Sequence, residues 1–577
     1  ANVVVEGTDL GAAADASGSY LIENVPAGSY TVTASVIGYT SSSESVTVGT
    51  GTAVVNFSLA TAVLQMSSLE VLASRAGENT PVAYTNVSKA EMEFRLGSQD
   101  IPLALNTTPS VYATGQGGGA GDARINVRGF NQRNVAVMIN GVPQNDMENG
   151  WVYWSNWDGV GDATQSIQLQ RGLSAVNLAA PSIGGSMNII TDPTAVESGG
   201  LLKQELGAGG FLKTSINYNT GLINDNMAFS ATIVRKTGDG VIDKTWTDAW
   251  AYYFGASYAL NSTNRFELYA IGAPQRHGQN LYKQNIGAYD HAFAESITGY
   301  RAYDTDAIAS DGKFKEAGRF FNQNWSPISS SYKGEQYWYM YGDKTRERHD
   351  PNYLNERENF FHKPLINLNH FLTINDQMRL SSILYWSGGS GGGTGTYGRI
   401  PTMDADGVTG LEDYKFYYGR SPWTRDWDAL VEMNSGDDDT VYVDKRVLPR
   451  THGTGNNQSV GILRNSINRQ WTIGLISKLN YDMSDDVKLE FGVDWRTAEI
   501  EHAREVRDLM GGDYYMDYAD DNSPDGKKVG LGDIIAYHNH NTVDWIGFFG
   551  QGNYTKDAIS AYGMFGLSSI TYTHQNH

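Results

Sequence analysis

The strongest constraint on the fold is a two-residue alternation of apolar and polar side chains that recurs through residues 195–577. Alternation with period 2 places the two classes on opposite faces of a β-strand. The runs are roughly ten to fourteen residues long, whereas strands of soluble proteins are usually about five or six. The pattern therefore predicts strands with one lipid-facing side and one wet side, the latter carrying Lys488, Glu490 and Asp494. Within each strand the apolar residues share one parity; they are Phe266, Leu268 and Ala270 in one strand, Trp471, Ile473, Leu475, Leu479 and Tyr481 in a second, and Val487, Leu489, Phe491, Val493 and Trp495 in the strand that returns.

These strands are predicted to form five hairpins, about ten strands in all, with long polar segments between them. The long segments cover 274–362, 388–469 and 497–541. Short turns on one side and long loops on the other are typical of an outer-membrane barrel. The predicted hairpins pair 203–218 with 227–236, 247–260 with 265–273, 363–374 with 377–387, 471–482 with 487–496, and 543–554 with 558–570.

Composition excludes several classes of function. The net charge is −21, and no basic patch is visible, so a nucleic-acid partner is not expected. The chain has no cysteine, which excludes disulfides and thiolate chemistry. No nucleophile–base pair or carboxylate pair is supported by spacing, so neither catalytic residues nor enzymatic activity is expected.

Three further patterns are incomplete as ligand sites, and no cofactor or metal is predicted from them. The glycine-rich run 387–396 lacks the lysine ending of a phosphate loop and indicates a flexible loop. His538 and His540 have no evident third ligand, so they are interpreted as loop histidines. The acidic segments 404–407 and 521–526 resemble partial calcium loops, and loop calcium stays open beside the interpretation as solvated turns.

Residues 125–191 contain four short apolar strands, each next to a glycine turn. Glycine permits tight turns that a β-carbon would hinder. The order of these turns resembles the plug domain of TonB-dependent outer-membrane transporters, and we predict a plug over 76–194. The residues that carry the resemblance are Arg128, Gly129, Gly141, Arg171, Gly172, Gly184, Gly185 and Asn188.

The resemblance implies a mainly β fold in which a transmembrane antiparallel barrel, here 195–577, encloses an α+β plug. The family closes its barrel with 22 strands, and an open edge in lipid would leave backbone groups unpaired. We therefore expect a fragment that lacks its N-terminal signal region and its C-terminal barrel strands. The resemblance also implies that Arg128 and Arg171 face the barrel wall and pair with its carboxylates.

Residues 1–60 predict a small sandwich of short strands at 3–6, 18–23, 28–37, 43–48 and 53–59. Tyr20, Ile22, Tyr30 and Val32 alternate and are expected to share one core. The segment resembles a carboxypeptidase-regulatory-like domain, a transthyretin-like sandwich, whose first strand is expected to be missing. A generic immunoglobulin-like sandwich is the alternative.

Residues 61–75 are predicted to be a linker that holds a short apolar strand. Its position before the plug resembles a Ton box, which pairs as an added strand with the energy-transducing protein TonB. The alternative is an ordinary linker strand. The predicted Ton box consists of Leu69, Glu70, Val71, Leu72 and Ala73.

The segment 151–157 concentrates four aromatic residues in seven positions. It predicts either an apical plug loop that stacks on a ligand or a surface that packs against the barrel interior. The predicted ligand-binding residues are Trp151, Tyr153, Trp154 and Trp157.

The resemblance implies TonB-dependent import of a ligand too large for porins, across the outer membrane of a Gram-negative bacterium. The expected partners are TonB with its inner-membrane motor, outer-membrane lipids, a small imported ligand and a surface lipoprotein of the SusD-like kind. The N-terminal domain is expected to be periplasmic, as in transporters of the Bacteroidota that resemble SusC. A ferric siderophore, an oligosaccharide and a peptide all remain open as substrates. The alternative is a surface-binding or scaffold barrel that transports nothing.

Overall fold

The computed structural model describes residues 2–577 apart from several short segments and one longer linker. The description leaves out residues 9, 16–17, 36–41, 60–81, 98, 117–120, 173–181, 282–285, 287–288, 300–317, 341–344, 404–408, 411–423, 436–439, 444–445, 450–456, 520–522 and 558. The whole predicted linker 61–75, including the predicted Ton box at 69–73, lies outside the described residues, as does the acidic segment 404–407.

The N-terminal part is a four-stranded antiparallel sheet in the order β2-β1-β3-β4. Tyr20, Ile22 and Tyr30 pack on Val32, so the predicted common core is confirmed. The predicted strands at 18–23 and 53–59 are wrong, because these segments cover the sheet without joining its ladder; the Tyr20 hydroxyl donates instead to the carbonyl of Val55 at 2.8 Å. The strands are β1 (Asn2–Val5), β2 (Gly11–Ala13), β3 (Gly28–Ser35) and β4 (Ser42–Val48).

The second unit mixes two small sheets with short helices. Its five-stranded sheet has the order β10-β9-β12-β11-β5, in which β9 and β12 are parallel, and β6-β7-β8 form the other sheet. Helix α1 begins at a capping box, where Ser88 and Glu91 satisfy each other's backbone donors. The elements are β5 (Ala83–Ser88), α1 (Lys89–Leu96), α2 (Ile101–Ala104), β6 (Val111–Thr114), β7 (Arg124–Val127), β8 (Phe130–Asn131), β9 (Val135–Ile139), β10 (Val142–Pro143), β11 (Ser166–Arg171) and β12 (Gly185–Ile190), with 3-10 turns at Gln132–Asn134, Trp154–Trp157, Val160–Ala163 and Pro193–Ala195.

The third unit is one large antiparallel sheet of thirteen strands, eleven of them in a continuous path. Its two edge strands each pair with one neighbour, so the described sheet is open. The path consists of β13 (Gly199–Gly207), β14 (Phe211–Asn219), β15 (Met227–Gly238), β16 (Thr247–Ala259), β17 (Asn264–Gly272), β24 (Leu365–Asn375), β25 (Met378–Gly398), β32 (Gly461–Asp482), β33 (Val487–Asp508), β36 (Ile534–Lys556) and β37 (Ile559–Asn576), and β18 (Gln275–Gly278) and β23 (Glu358–His362) join it from the side.

The remaining described elements lie in the long segments at one rim of the sheet. They are β19 (Trp325–Pro327), β20 (Gln336–Tyr337), β21 (Thr345–Arg346), β22 (Tyr353–Asn355), β26 (Thr402–Met403), β27 (Thr409–Gly410), β28 (Thr424–Arg425), β29 (Thr440–Val443), β30 (Arg446–Pro449), β31 (Gln458–Ser459), β34 (Tyr514–Asp517), β35 (Lys527–Val529), α3 (His291–Ser296) and α4 (Trp427–Ser435). Among the described residues, no helix is both long and apolar enough to cross a lipid bilayer.

The five predicted hairpins are confirmed as pairings, with two corrections to their extent. The predicted strand 203–218 is itself a hairpin, β13 and β14, because Gly209 and Gly210 adopt positive φ and reverse the chain. Strands β32, β33 and β36 are 22 or 23 residues long and take up parts of the predicted loops 388–469 and 497–541. The short turns and the long segments lie at opposite rims, as the sequence predicts.

The glycine-rich run 387–396 is not a flexible loop but the end of β25. It pairs with β32 on one side and with β23 on the other. A β-carbon at Gly391 would overlap the backbone of Phe360 and Phe361. The glycines therefore allow β23 to lie close against β25, where side chains would hold it away.

The two faces of the large sheet follow the predicted parity. Leu475 on the outward face is 39% exposed, whereas Asp494 on the inward face is 0% exposed. Several tryptophans also lie on the outward face, among the exposed apolar residues of the sheet, as expected of strands that meet a membrane interface. These outward tryptophans are Trp250, Trp386, Trp471 and Trp495.

We predict that Leu475→Arg destabilises the protein in lipid by about 2–4 kcal/mol, because it places a cation among the outward apolar side chains, next to Leu384 and Trp495 on the two neighbouring strands. Glu499→Arg is the matched control: its position also faces outward, opposite Trp471, but it already carries a charged side chain, so the expected cost is below about 1 kcal/mol. Urea unfolding of the protein in vesicles measures both. Equal effects for the two variants would contradict a lipid-facing band at this height.

Candidate functional site

The plug-like unit fills the concave side of the large sheet. All residues of β9 and β12 are buried. The core of this unit continues into the sheet wall without a gap, so one hydrophobic cluster contains residues of both units. The wall residues that join the cluster are Tyr253, Tyr269, Ile271, Leu365, Tyr385 and Ile476.

The predicted glycine turns lie at the ends of the plug strands. Gly129, Gly141, Gly172 and Gly185 all have positive φ, between +80° and +139°. Gly184 donates its N–H to the carbonyl of Asn134 at 2.9 Å. Asn188 is buried in the middle of β12, where it pairs with Gln168 and Met138 on the two sides. Their importance for the plug remains a prediction.

Gly172 and Arg128 form one compact turn. Gly172 has φ +92°, a conformation that L side chains rarely adopt. A β-carbon at this position would also overlap the guanidinium of Arg128. The glycine therefore leaves room for the arginine to fold over the plug's own backbone.

The expected pairing of Arg128 and Arg171 with barrel carboxylates does not match the structure, because among the described residues neither arginine forms such a pair. Arg171 donates to the carbonyls of Pro109 at 3.1 Å and Tyr84 at 3.4 Å, both in the plug. The physical reason is that buried carboxylates of the sheet have cationic partners of their own. Glu267 pairs with Arg265, and Asp494 pairs with Arg496.

The charged contacts between plug and sheet have the opposite polarity, with plug carboxylates and sheet lysines. Lys236 Nζ of β15 lies 2.7 Å from Asp158, and Lys213 Nζ of β14 lies 2.9 Å from Asp162. Both lysines are only 3% exposed. Removing one partner of a buried pair leaves an uncompensated charge, which typically costs about 3–5 kcal/mol. These two pairs are therefore strong local anchors of the plug.

A second charged contact lies around the loop before β7. Asp122 accepts a hydrogen bond from Gln279 at 2.7 Å and lies 3.1 Å from Nε2 of His277. Nearby, the buried carboxylate of Asp100 accepts the N–H groups of Gly121 and Ala123. Burial raises the pKa of Asp100 to about 6, partly opposed by the charge of Lys236.

The loop after β10 reaches the far ends of the long strands through Glu148. Its carboxylate is 2.7 Å from Nε2 of His502 on β33 and also accepts from the amide of Asn541 on β36. The hydrogen bond with His502 is the main reason that the pKa of Glu148 is lowered. Because these strand positions lie toward the rim of the long segments, the loop faces that rim.

The aromatic segment after this loop divides into buried and accessible residues. Trp154 and Trp157 are each 2% exposed and belong to the plug core, where Trp154 Nε1 donates to Gln132 at 3.1 Å. Because the surrounding plug core covers both rings, they present no surface to a ligand. Tyr153 is 46% exposed, and Trp151 is half-buried.

Two guanidinium groups lie over the ring of Trp151. The Cζ atoms of Arg124 and Arg133 are 4.7 Å and 4.9 Å from the ring centroid, within the range of a cation–π contact. Arg133 is exposed, whereas desolvation lowers the pKa of Arg124. We call Arg124, Arg133, Trp151 and Tyr153 the apical patch. It is accessible, cationic and aromatic.

Sequence reasoning identified neither the plug–sheet ion pairs nor the arginines of the apical patch. Lys213 and Asp162 are 51 positions apart in the sequence, so no local spacing predicts that they pair. The one available signal was parity: Lys213 and Lys236 stand at inward positions of their strands, where an unpaired cation would be costly.

The fold and these contacts define a membrane-barrel wall with an internal plug. Residues 76–186 match the model of the TonB-dependent Receptor Plug Domain family, and residues 1–71 match that of the CarboxypepD_reg-like domain. The chain therefore contains a plug domain of the kind found in TonB-dependent receptors, which are proteins of the outer membrane, and an N-terminal CarboxypepD_reg-like domain.

Two curated relatives are similar over part of their length. The vitamin B12 transporter BtuB of Vibrio vulnificus is 24% identical over 236 residues, which cover 39% of this chain and 37% of that protein. The ferric enterobactin receptor of Pseudomonas aeruginosa is 25% identical over 222 residues, which cover 35% of this chain and 28% of that protein. The matches therefore span well under half of either relative, 37% of the first and 28% of the second.

Solved structures share the fold at low identity. The closed form of the ferric-catecholate import receptor Fiu from E. coli K12 has a TM-score of 0.53 at 12% identity, and covers 87% of this chain and 58% of that one. The unliganded ferric citrate transporter FecA has a TM-score of 0.52 at 12% identity, with 86% and 57% covered. The likeness extends over plug and barrel wall together.

We predict that Lys236→Met loosens the plug, since it leaves Asp158 buried without its partner. The local free energy of opening should fall by about 3–5 kcal/mol, measured as faster hydrogen exchange of the Trp154–Ala163 amides. The neighbouring Arg235→Met is the matched control, because that cation lies on the outward face and is partly exposed, so it should change exchange by less than about 1 kcal/mol. Adding Asp158→Asn to Lys236→Met should restore much of the protection. Unchanged exchange in Lys236→Met would show that the pair does not anchor the plug.

Proposed function

We propose that the protein imports a ligand across the outer membrane by the TonB-dependent route. The observation that carries the proposal is a folded plug inside the barrel wall, tied to it by a few buried ion pairs. Such a plug blocks the lumen at rest, and its partly polar interface can be opened without unfolding the wall. The alternative of a scaffold barrel that transports nothing would not require these separable contacts.

The energy for import must arrive mechanically, since the outer membrane has no ATP and no useful ion gradient. We propose that TonB, with its inner-membrane motor, binds the Ton box at residues 69–73 by strand addition. An unpaired extended segment offers free backbone donors and acceptors for such pairing. The position of this segment, shortly before β5 and the plug, supports the assignment. The N-terminal sheet would then stand in the periplasm.

We propose the apical patch as the first surface that the ligand contacts. Its guanidinium groups favour an anionic ligand, and Tyr153 and Trp151 favour one with rings. The burial of Trp154 and Trp157 removes most of the broad aromatic surface that would favour a neutral glycan. Among a ferric siderophore, an oligosaccharide and a peptide, the patch therefore favours an anionic ferric chelate. The named relatives include a ferric enterobactin receptor and a vitamin B12 transporter. A SusD-like lipoprotein partner is expected only if the substrate is an oligosaccharide or a peptide.

The ligand class is tested by binding of a ferric tricatecholate and of a neutral oligosaccharide to the purified receptor. We expect Arg133→Ala and Trp151→Ala each to weaken binding of the ferric chelate by about tenfold, since each removes a charge-assisted or stacking contact. Phe94→Ala is the control, because this plug residue is exposed on α1 and is not part of the patch. Binding of the chelate that is unaffected in both patch variants would reject the apical patch as the ligand surface.

Transport is tested by deleting residues 68–73 from the receptor in cells. We expect uptake of the ligand to be lost while its binding at the cell surface is retained. Deletion of residues 62–67 shortens the same linker by the same length and should leave uptake intact. If the first deletion leaves uptake unchanged, the scaffold interpretation replaces the import proposal.

A further inference from the structure

Strands β33 and β36 bring three metal-ligating side chains together on one face of the sheet. The register sets Glu501 opposite His540 and Ala503 opposite His538. One donor atom from each of Glu501, His538 and His540 lies within 4.8 Å of the other two. Nε2 of His538 is already 3.1 Å from Oε1 of Glu501. The third ligand that the sequence alone does not reveal thus comes from the neighbouring strand, and the histidines lie in β36 and not in a loop.

A third histidine approaches the same cluster from the end of β37. Nε2 of His577 is 2.7 Å from Nδ1 of His540, and its ring centroid is 4.7 Å from that of His538. The backbone N–H of His577 donates to the carbonyl of His538 at 2.9 Å, which fixes this approach. The cluster therefore offers three imidazoles and one carboxylate.

The cluster lies outside the barrel wall and beyond the apolar band. Glu501 has the outward parity of Phe491 and Trp495 and stands six residues past Trp495 along β33, toward the rim of the long segments. The next residue, His502, faces the other way, toward Glu148 of the plug. The side chains of Glu501 and His538 keep 19% and 23% of their surface exposed. An ion can reach them from the aqueous side without passing through the lumen.

We propose that Glu501, His538 and His540 bind a divalent transition-metal ion of the zinc class, with His577 as a fourth ligand. Imidazole and carboxylate donors suit such ions, whose bonds to them are about 2.0–2.2 Å long. A tetrahedral arrangement of such bonds spaces the donor atoms by about 3.3–3.6 Å. Side-chain rotations that move the donor atoms by about 1 Å bring them to that spacing. The bound ion would join β33, β36 and the end of β37 at the outer rim, independently of the proposed import.

One neighbouring cation competes with the ion. Arg469 on β32 donates from Nη1 to Oε1 of Glu501 at 3.1 Å and also pairs with Glu505 through Nη2 at 2.5 Å. Binding of the ion to Glu501 weakens the first contact and leaves the second. Arg469→Gln should therefore tighten metal binding, whereas a cluster that exists only as an ion-pair network predicts no such gain.

The test uses the chelator-treated receptor in detergent and Zn²⁺ alone as the probe, followed by titration calorimetry. We expect one saturable site per chain. His538→Ala and His540→Ala should each weaken it by more than the roughly 10–100-fold that loss of an outer-shell partner costs. Co²⁺ in place of Zn²⁺ should give the visible absorption of a tetrahedral site, and this absorption should be lost in both variants.

His574→Ala is the matched control. This histidine is on the same strand end as His577, but it contacts Asn541 on the inward side, at 2.6 Å. Its removal should leave Zn²⁺ affinity unchanged, and the heat-dependent gel mobility of every variant reports whether the barrel has folded. Should a histidine variant fail to fold, Glu501→Gln preserves the shape and is expected to weaken binding in the same way. The proposal is overturned if wild type shows no saturable Zn²⁺ site, or if folded His538→Ala and His540→Ala bind Zn²⁺ as wild type does.

Discussion

Backbone pairing along the eleven-strand path is the constraint on which the rest of the structure depends. In lipid an unpaired N–H or C=O costs several kcal/mol, so a membrane wall of strands must satisfy nearly all of them laterally. Continuous pairing fixes the parity of every residue in each strand. Parity in turn assigns Leu475 to the lipid and Asp494 to the interior. The resulting concave face is too polar to contact lipid, and the plug covers it.

The contact between plug and wall combines two kinds of interaction with different consequences. The shared hydrophobic cluster joins plug and wall but, being non-directional, does little to fix their relative orientation. The pairs Lys236–Asp158 and Lys213–Asp162 fix the orientation of the plug relative to the wall, since a buried charge tolerates few alternative positions. Such pairs can break one at a time, whereas the wall unfolds only when whole ladders separate. The plug is therefore the part of the molecule that can move first.

The sequence predicts the wall far better than the site. Period-2 alternation is local information, so the parity of 471–481 and 487–495 is correctly predicted. The same logic fails at 387–396, because glycine has no side chain and so shows no alternation. The end of β25 is therefore predicted to be a loop. It fails again at 203–218, where two glycines reverse a chain whose alternation continues on both sides. Contacts such as Glu148 with His502 depend on the curvature of the whole sheet and on a plug 350 residues away, and no local pattern contains them.

One stretch of the plug links the surface proposed for the ligand to the anchors in the wall. Trp151 and Tyr153 of the apical patch lie between Glu148, which contacts β33 and β36, and Asp158, which contacts β15. The buried rings of Trp154 and Trp157 lie between patch and anchor and make this stretch stiff, because close-packed aromatic side chains cannot shift singly. We therefore expect a displacement of Trp151 to be passed on toward Glu148 or Asp158. We infer that the four aromatic residues of 151–157 transmit movement. Trp151 and Tyr153 are accessible at the apical patch, and Trp154 and Trp157 belong to the buried cluster that joins the plug to the barrel wall.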